Sequence, residues 1–184
     1  MAAARRRWAA ELLHFWFHTL HAEQWFDRHE VVDSALRKRF ARVLAALQRR
    51  PAREFLRDRL TARAAILLFD QCPRNIYRDD RRAFAADPLA RAIVKGALRR
   101  DWHRRLGRGE AQFVLMPLMH SEAMADQQAS LARFAALGDA RNLAFARRHY
   151  RMIARFGRFP HRNAVLGRTS SKAELRAVAA GNAW

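Results

Sequence analysis

The sequence predicts an all-α fold, and three observations support that prediction. Glycine and proline number only 7 and 5 in 184 residues, whereas alanine, leucine and arginine, which favour helix, are abundant. Apolar residues recur at helical spacing, as in Val32, Leu36, Phe40, Val43 and Leu47. No segment alternates apolar and polar residues with the period of two that indicates a half-buried strand.

Composition indicates one folded domain. Half of the chain is apolar and 10% is aromatic, enough to bury a substantial core, so we expect a single domain over residues 1–184. The lone cysteine, Cys72, excludes an internal disulfide and favours a reducing compartment. No apolar run approaches the roughly 18 residues that span a bilayer, and Glu11 and His14 interrupt the apolar part of the basic N-terminus. We therefore predict a cytoplasmic protein without membrane insertion.

About eight helices are predicted, joined by short loops in antiparallel pairs. Apolar spacing gives their approximate bounds as 5–20, 30–48, 60–71, 87–105, 113–119, 121–137 and 140–156, with a terminal helix from Ser171. Residues 64–69 are apolar on nearly every side, which indicates a central helix. Ser171 and Glu174 have the spacing of a capping box. No internal repeat near 34 residues is visible.

Cap and turn residues set the helix boundaries. Pro73 is expected to stop the third helix and to leave residues 74–78 irregular. Asp87 followed by Pro88 fits an N-cap and a first-turn proline. Ser121 is expected to cap the helix that runs to residue 137.

The formal charge of +19 has two explanations. Three of the 36 basic residues are lysines, which leaves 33 arginines. Such a bias towards arginine and alanine is what GC-rich coding would produce, with the arginines solvating helix faces. Attraction to nucleic acid or another polyanion is the functional alternative, and charge alone does not decide between the two.

The helix predicted over residues 140–156 has a basic face and an apolar face. No acidic residue occurs between Ala140 and Arg168. At about 100° per residue, the arginines fall within one sector of the helix; they are Arg141, Arg147, Arg148, Arg151 and Arg155. Asn142 and His149 form a polar seam in the apolar face, which fits either a hydrogen-bonded core histidine or an internal polar pocket.

The turn after this helix, residues 155–168, is the densest polar segment of the chain. Gly157 and Pro160 interrupt the helix. A guanidinium fork matches carboxylate or phosphate, so Arg155, Arg158 and Arg162 could clamp an anionic ligand. They could equally clamp Asp70, Glu122 or Asp126 of the same chain, and both interpretations remain open.

Two further polar motifs lie upstream. Residues 70–78 gather amide and guanidinium groups at a helix end, which fits a C-terminal capping network or a binding corner. In residues 120–122, His120 and Glu122 precede Asp126, and neighbouring carboxylates can serve as acid and base if buried or simply suit a helix N-terminus. The single cysteine argues against zinc. A site for a hard metal formed by His120, Glu122 and Asp126 is the minor alternative, and the prediction is no metal and no cofactor.

We expect the three motifs to meet at one site. The candidate ligand-binding residues are Asp70, Gln71, Arg74, Asn75, Arg78, His120, Glu122, Asp126, His149, Arg155, Arg158, His161, Arg162, Asn163 and Arg168.

These three motifs, together with the segment His14-Phe-Trp-Phe17, make the chain resemble a bacterial family of unknown function, domain-of-unknown-function family 924. The resemblance covers nearly the whole chain. It implies an all-helical fold similar to that of tetratricopeptide-repeat proteins, and it implies no activity. Cys72 departs from the family pattern, in which a large apolar residue is usual, and this favours a buried packing role over a nucleophilic one.

Three functional hypotheses remain. The favoured one is a binding module whose site, lined by arginine and histidine, takes an anionic small molecule or an acidic peptide. The second is an enzyme of unknown reaction with His120, His149 or His161 as general base. The third is nucleic-acid binding by charge, with Trp102 as a stacking platform among the arginines of residues 99–105.

Overall fold

The computed structural model describes residues 7–181, and this part of the chain contains helices and no strand. The α-helices are α1 Arg7–His14, α2 Glu30–Leu47, α3 Arg59–Ile66, α4 Cys72–Ile76, α5 Asp87–Leu98, α6 Arg108–Met119, α7 Met124–Leu137, α8 Ala140–Phe156 and α9 Lys172–Ala179. The all-helical prediction is confirmed. Arg5 and Arg6, where the first helix was expected to begin, lie outside the described residues.

The chain divides into two compact units, and the division falls at Pro117 within α6. Unit 1 ends at Pro117 and unit 2 begins at Leu118. The expectation of one domain over residues 1–184 stays a prediction. None of the helices within residues 7–181 is both long enough and apolar enough to cross a membrane.

The core of unit 1 surrounds the continuous helical stretch from α3 to α4. Residues 64–69 are all fully buried or nearly so, which confirms that this helix is central. It packs against α1 and α5. Large buried rings complete the core, including Trp16, Phe40 and Phe113.

Pro73 does not stop the helix as expected. One π-helical turn, Leu67–Gln71, separates α3 from α4, and the Cys72 N–H donates to the Leu67 carbonyl five residues back. This wider turn comes directly before Cys72 and Pro73, so the hydrogen-bond register changes just ahead of the proline and the helix continues into α4. The prediction that residues 74–78 are irregular is therefore wrong for residues 74–76, which are helical.

Three other boundaries also differ from expectation. α5 ends at Leu98 instead of near residue 105, because Asp101 adopts a left-handed conformation with φ of 53° that interrupts the helix. Asp87 is the first residue of α5 and not its N-cap, and Ser121 lies ahead of Ala123, the N-cap of α7. The side chains of Asp87 and Ser121 are used in other contacts, described below.

Unit 2 is built on a hairpin of α7 and α8. Gly138 ends α7 with φ of 70°, a left-handed conformation that glycine adopts without strain. Asp139 then caps α8 by accepting a hydrogen bond from the Asn142 N–H. α9 begins with the predicted capping box of Ser171 and Glu174. Its Ala177 joins Met152, Ile153 and Phe159 in the core of this unit.

Candidate functional site

In unit 1, the residue 70–78 motif fastens α4 to α2 through a carboxylate that sequence reasoning missed. Asp33 of α2 is 2% exposed. Its Oδ1 accepts hydrogen bonds from Asn75 Nδ2 and Arg78 Nη2, both at 2.9 Å, and its Oδ2 accepts one from Arg78 Nε. Asp33 is isolated in a helical pattern 45 residues from Arg78, so no local signal identifies it as the partner.

The same motif also fastens α4 to α5. The two terminal nitrogens of Arg74 donate to the two carboxylate oxygens of Asp87, each at 3.0 Å. Arg74 Nη1 also lies 3.5 Å from Oδ1 of the fully buried Asp70. Gln71 Nε2 donates to the other Asp70 oxygen at 2.6 Å. Burial lowers the pKa of Arg74, but the Asp87 and Asp70 carboxylates outweigh burial and raise it overall, so Arg74 stays charged.

Cys72, within this motif, is fully buried. Burial raises the pKa of its thiol, so the thiolate needed of a nucleophile is not formed at neutral pH. The buried packing role expected for Cys72 agrees with this environment.

In unit 2, the residue 120–122 motif organises the entry to α7. Ser121 Oγ donates to Asp126 Oδ2 at 2.8 Å and accepts from the Ala123 N–H at 3.1 Å. Gln127 Nε2 donates to the carbonyls of Met119 and Ser121, at 2.7 and 2.6 Å. These bonds hold the loop between α6 and α7.

Glu122 joins this loop to the residue 155–168 turn. Its Oε1 accepts hydrogen bonds from the Phe159 N–H at 2.9 Å and from Arg168 Nη1 at 2.8 Å. Burial raises the pKa of Glu122, but the bonds from Arg168 and Phe159 outweigh burial and hold the pKa below its usual value. Glu122 is thus a carboxylate at neutral pH and positions the turn.

Arg158 and Asn163 bind a second carboxylate, Glu174 of α9. Arg158 Nε and Nη2 donate to the two Glu174 oxygens at 2.6 and 3.0 Å, and Nη2 also donates to the Thr169 carbonyl at 2.9 Å. Asn163 Nδ2 donates to Glu174 Oε1 at 3.3 Å. The bond from Arg158, followed by that from the Ser171 N–H, lowers the pKa of Glu174 to about 2. The sequence identified Glu174 only as a capping residue.

Three histidines and an arginine lie close to the fully buried Phe159 ring or to one another. His149 and His161 ring centroids lie 5.4 and 5.7 Å from that of Phe159, and the Arg162 guanidinium carbon lies 4.5 Å away. His120 lies 6.1 Å from His149. Two of the sequence motifs therefore meet in unit 2. The convergence of the residue 70–78 motif with them stays a prediction.

The tautomer and charge of His149 follow from its surroundings. Its ring Nδ1 lies 2.9 Å from the Phe145 carbonyl, which can only accept, so Nδ1 carries the proton. Burial lowers the pKa of His149 to about 2, and the positive charges of His120, Arg162 and His161 add to that effect. His149 is therefore a neutral core histidine at physiological pH.

The exposed side of α8 carries arginines, as its sequence pattern predicts. Four of them form what we call the arginine face: Arg147, Arg148, Arg151 and Arg155. Within residues 7–181, none of these four forms an ion pair with a carboxylate. The Arg148 guanidinium lies 4.4 Å from the Phe145 ring centroid, and that of Arg155 lies 4.9 Å from the Phe156 ring centroid. The arginine face is thus a cationic surface, and two of its guanidinium groups lie over half-buried aromatic rings.

No group of three or more His, Cys, Asp or Glu side chains among residues 7–181 is arranged to hold a metal ion. His120, Glu122 and Asp126 therefore do not form such a group there, since Glu122 and Asp126 engage Arg168 and Ser121.

Comparison with known proteins identifies relatives without an assigned activity. The profile described as "Bacterial protein of unknown function (DUF924)" matches residues 12–182. A solved structure, that of the protein of unknown function ATU0120 from Agrobacterium tumefaciens, is similar with a TM-score of 0.88 and 32% sequence identity. That similarity covers 97% of this chain and 98% of the other. No curated protein matches the chain.

Proposed function

We propose a binding function for this chain on the premise that it belongs to DUF924, a family of bacterial proteins of unknown function. The proposed function is that of a cytoplasmic helical binding module whose arginine face on α8 takes an acidic peptide. The observation that carries the proposal is the excess of exposed guanidinium groups on that face over the carboxylates available to it.

Charge balance in unit 2 supports this assignment. Residues 118–181 contain eleven arginines and lysines and only four carboxylates. Each carboxylate already has a partner elsewhere: Glu122 with Arg168, Asp126 with Ser121, Asp139 with the N-terminus of α8, and Glu174 with Arg158. The arginine face is thus left for an anion from outside, and a guanidinium fork matches carboxylate geometry.

The spacing of the face favours an extended peptide. Arg147, Arg151 and Arg155 are four residues apart, about 6 Å along the helix axis for each step. Alternate residues of an extended chain are also about 6.6 Å apart. A segment with acidic residues at every second position would therefore place one carboxylate opposite each of these arginines.

Nucleic acid fits this face less well. Binding to single strands combines charge with exposed aromatic platforms on which bases stack. The rings beneath the face, Phe145 and Phe156, are covered by Arg148 and Arg155. The phosphates of a nucleic acid would be attracted by this face, but its bases would find no exposed ring to stack on there.

The enzyme hypothesis has less support from the site. A general base works best with a pKa near the operating pH, and His149, with a pKa lowered to about 2, is far from that range. Arg158 and Arg168 are held by Glu174 and Glu122, so an anionic intermediate would have to displace these internal carboxylates.

Tetratricopeptide-like stacking is part of the same proposal. A hairpin of two packed helices, such as α7 and α8, is the unit from which such stacks are built, and stacked hairpins form extended surfaces for peptides. The location of the protein in the cytoplasm is likewise proposed, and the single buried cysteine suits it.

The test uses a fluorescently labelled peptide with three glutamates separated by serines. We expect saturable binding to the protein, weakened about tenfold in the variant Arg147→Gln/Arg151→Gln/Arg155→Gln, because three exposed ion pairs of about 0.5 kcal/mol each are lost. The measurement is fluorescence anisotropy at low salt.

A matched variant controls for net charge. Arg49→Gln/Arg53→Gln/Arg57→Gln removes three exposed arginines of unit 1 and should leave the affinity nearly unchanged. Equal weakening in the two variants would mean that only total charge matters. Tighter binding of an oligothymidylate than of the peptide would assign the face to nucleic acid instead.

A further inference from the structure

Unit 1 contains a cavity of about 200 Å³ that no sequence motif predicted. It lies among α3, α5, α6 and the short 3₁₀ turn Trp102–Arg105. Its apolar lining includes the buried residues Ala62, Ile66 and Val114. Its size is below the roughly 300–1,000 Å³ of pockets for drug-sized ligands, so its occupant would be small.

One arginine in this cavity has unused hydrogen-bonding capacity. The Arg63 side chain is 13% exposed, and its Nη1 pairs with Glu110 Oε1 at 2.5 Å. Its guanidinium carbon lies 5.5 Å from the Phe17 ring centroid. Its Nε is buried and has no hydrogen-bond partner among residues 7–181. A guanidinium carries five N–H donors, so the contact of Arg63 with Glu110 leaves this side chain with capacity for a second anion.

The cavity lining is also positively charged. Arg59 and Arg105 contribute to it and are exposed at their outer ends. Neither forms an ion pair with a carboxylate within residues 7–181, and Glu110 is the one acidic side chain among the lining residues. Three guanidinium groups face one carboxylate, which favours a ligand that brings a negative charge.

An aromatic side chain forms part of the lining as well. Trp102 is half-buried and lines the cavity, and the Arg100 guanidinium lies 5.5 Å from the centroid of its indole ring. An aromatic ring beside an apolar floor favours a flat apolar body, since such surfaces stack without needing polar partners.

We propose that this cavity binds a small organic carboxylate with a flat apolar body. The carboxylate is attracted by the guanidinium groups of Arg63, Arg59 and Arg105, while the body lies against Trp102 and the apolar floor. Glu110 competes with this ligand from within the chain, because its carboxylate pairs with Nη1 of Arg63. This site shares no residue with the arginine face, and it does not depend on the proposed peptide binding.

Benzoate is a suitable probe, and benzyl alcohol is its uncharged counterpart. Titration calorimetry on the full chain should give saturable benzoate binding, with benzyl alcohol at least about tenfold weaker. Arg105→Gln should weaken benzoate binding several-fold, because one attracting charge is lost. Glu110→Gln should strengthen it several-fold, because a competing carboxylate is lost while a hydrogen-bonding side chain remains.

Arg108→Gln is the matched control. Arg108 is exposed at the start of α6, close to Glu110 in sequence, and does not line the cavity, so its substitution should leave the affinity unchanged. Thermal unfolding of each variant verifies that the fold is retained. Absence of saturable benzoate binding up to about 10 mM, ten times a dissociation constant of about 1 mM, would overturn the proposal. Equal affinity for benzyl alcohol, or no change in either cavity variant, would also overturn it.

Discussion

At the residue scale, the arginines of unit 2 fall into two groups with different roles. Arg158 and Arg168 are bound to Glu174 and Glu122, and they hold the turn after α8 against the neighbouring segments. The arginine face has no such carboxylate partner among residues 7–181. The same side chain therefore fastens the fold in one place and provides a binding surface in the other, depending on whether a carboxylate is within reach.

Residue contacts were predictable where they are local and unpredictable where they are long-range. The capping box of Ser171 and Glu174 was recognised because its partners are three residues apart. Glu122 was named as one of three carboxylates that the turn could clamp. The pairing of Arg158 with Glu174, and that of Arg78 with Asp33, depend on tertiary packing, which local patterns do not encode.

His149 gives a prediction about pH. Its folded pKa is lowered to about 2, mainly by burial, whereas an unfolded histidine titrates near 6.5. The unfolded state therefore takes up this proton first as the pH falls. The contribution of His149 to stability is present above about pH 6.5 and is lost below it, at up to about 1.4 kcal/mol per pH unit.

Urea unfolding between pH 7 and 5 checks this prediction before most carboxylates titrate. His149→Asn should show a weaker loss of stability with falling pH than the unsubstituted chain. His18→Asn, at an exposed position, is the matched control. Parallel pH profiles for the chain and its His149 variant would show that the imidazole is not held neutral.

At the element scale, apolar periodicity predicted α2, α7 and α8 with small errors at their ends, since each has a clear buried stripe. It failed at Pro73, because a π turn is a local change of hydrogen-bond register that apolar periodicity does not reveal. It also extended α5 too far, because residues 99–105 have a helical composition. The left-handed conformation of Asp101 ends the helix, and aspartate at that position does not reveal it in the sequence.

The attachment of α2 to α4 supplies a stability prediction. Asp33→Ala leaves Arg78 and Asn75 without their carboxylate in a largely buried position, so we expect a loss of about 3 kcal/mol in the free energy of unfolding. Chemical denaturation measures it.

An exposed ion pair provides the comparison. Arg28 and Asp79 are 3.2 Å apart, with side chains 68% and 79% exposed. Arg28→Ala should therefore cost no more than about 0.5 kcal/mol. Similar costs for Asp33→Ala and Arg28→Ala would mean that the buried carboxylate does not fasten these helices.

At the scale of the whole molecule, the formal charge of +19 has different explanations in different parts of the chain. Coding bias explains a general excess of arginine, and it remains an alternative for the exposed arginines of unit 1. It does not by itself account for a helix face on which every charged residue is an arginine, while the four carboxylate side chains of residues 118–181 are engaged elsewhere. The proposed function rests on this local excess and not on the total charge.

Backbone NMR of the isotopically labelled chain tests this claim most directly. On titration with the alternating glutamate peptide, we predict that the largest amide shift changes occur in α8, between Arg147 and Arg155, and that added salt reverses them. Changes of equal size at Arg49, Arg53 and Arg57, or changes confined to unit 1, would contradict a specific acidic-peptide surface on α8.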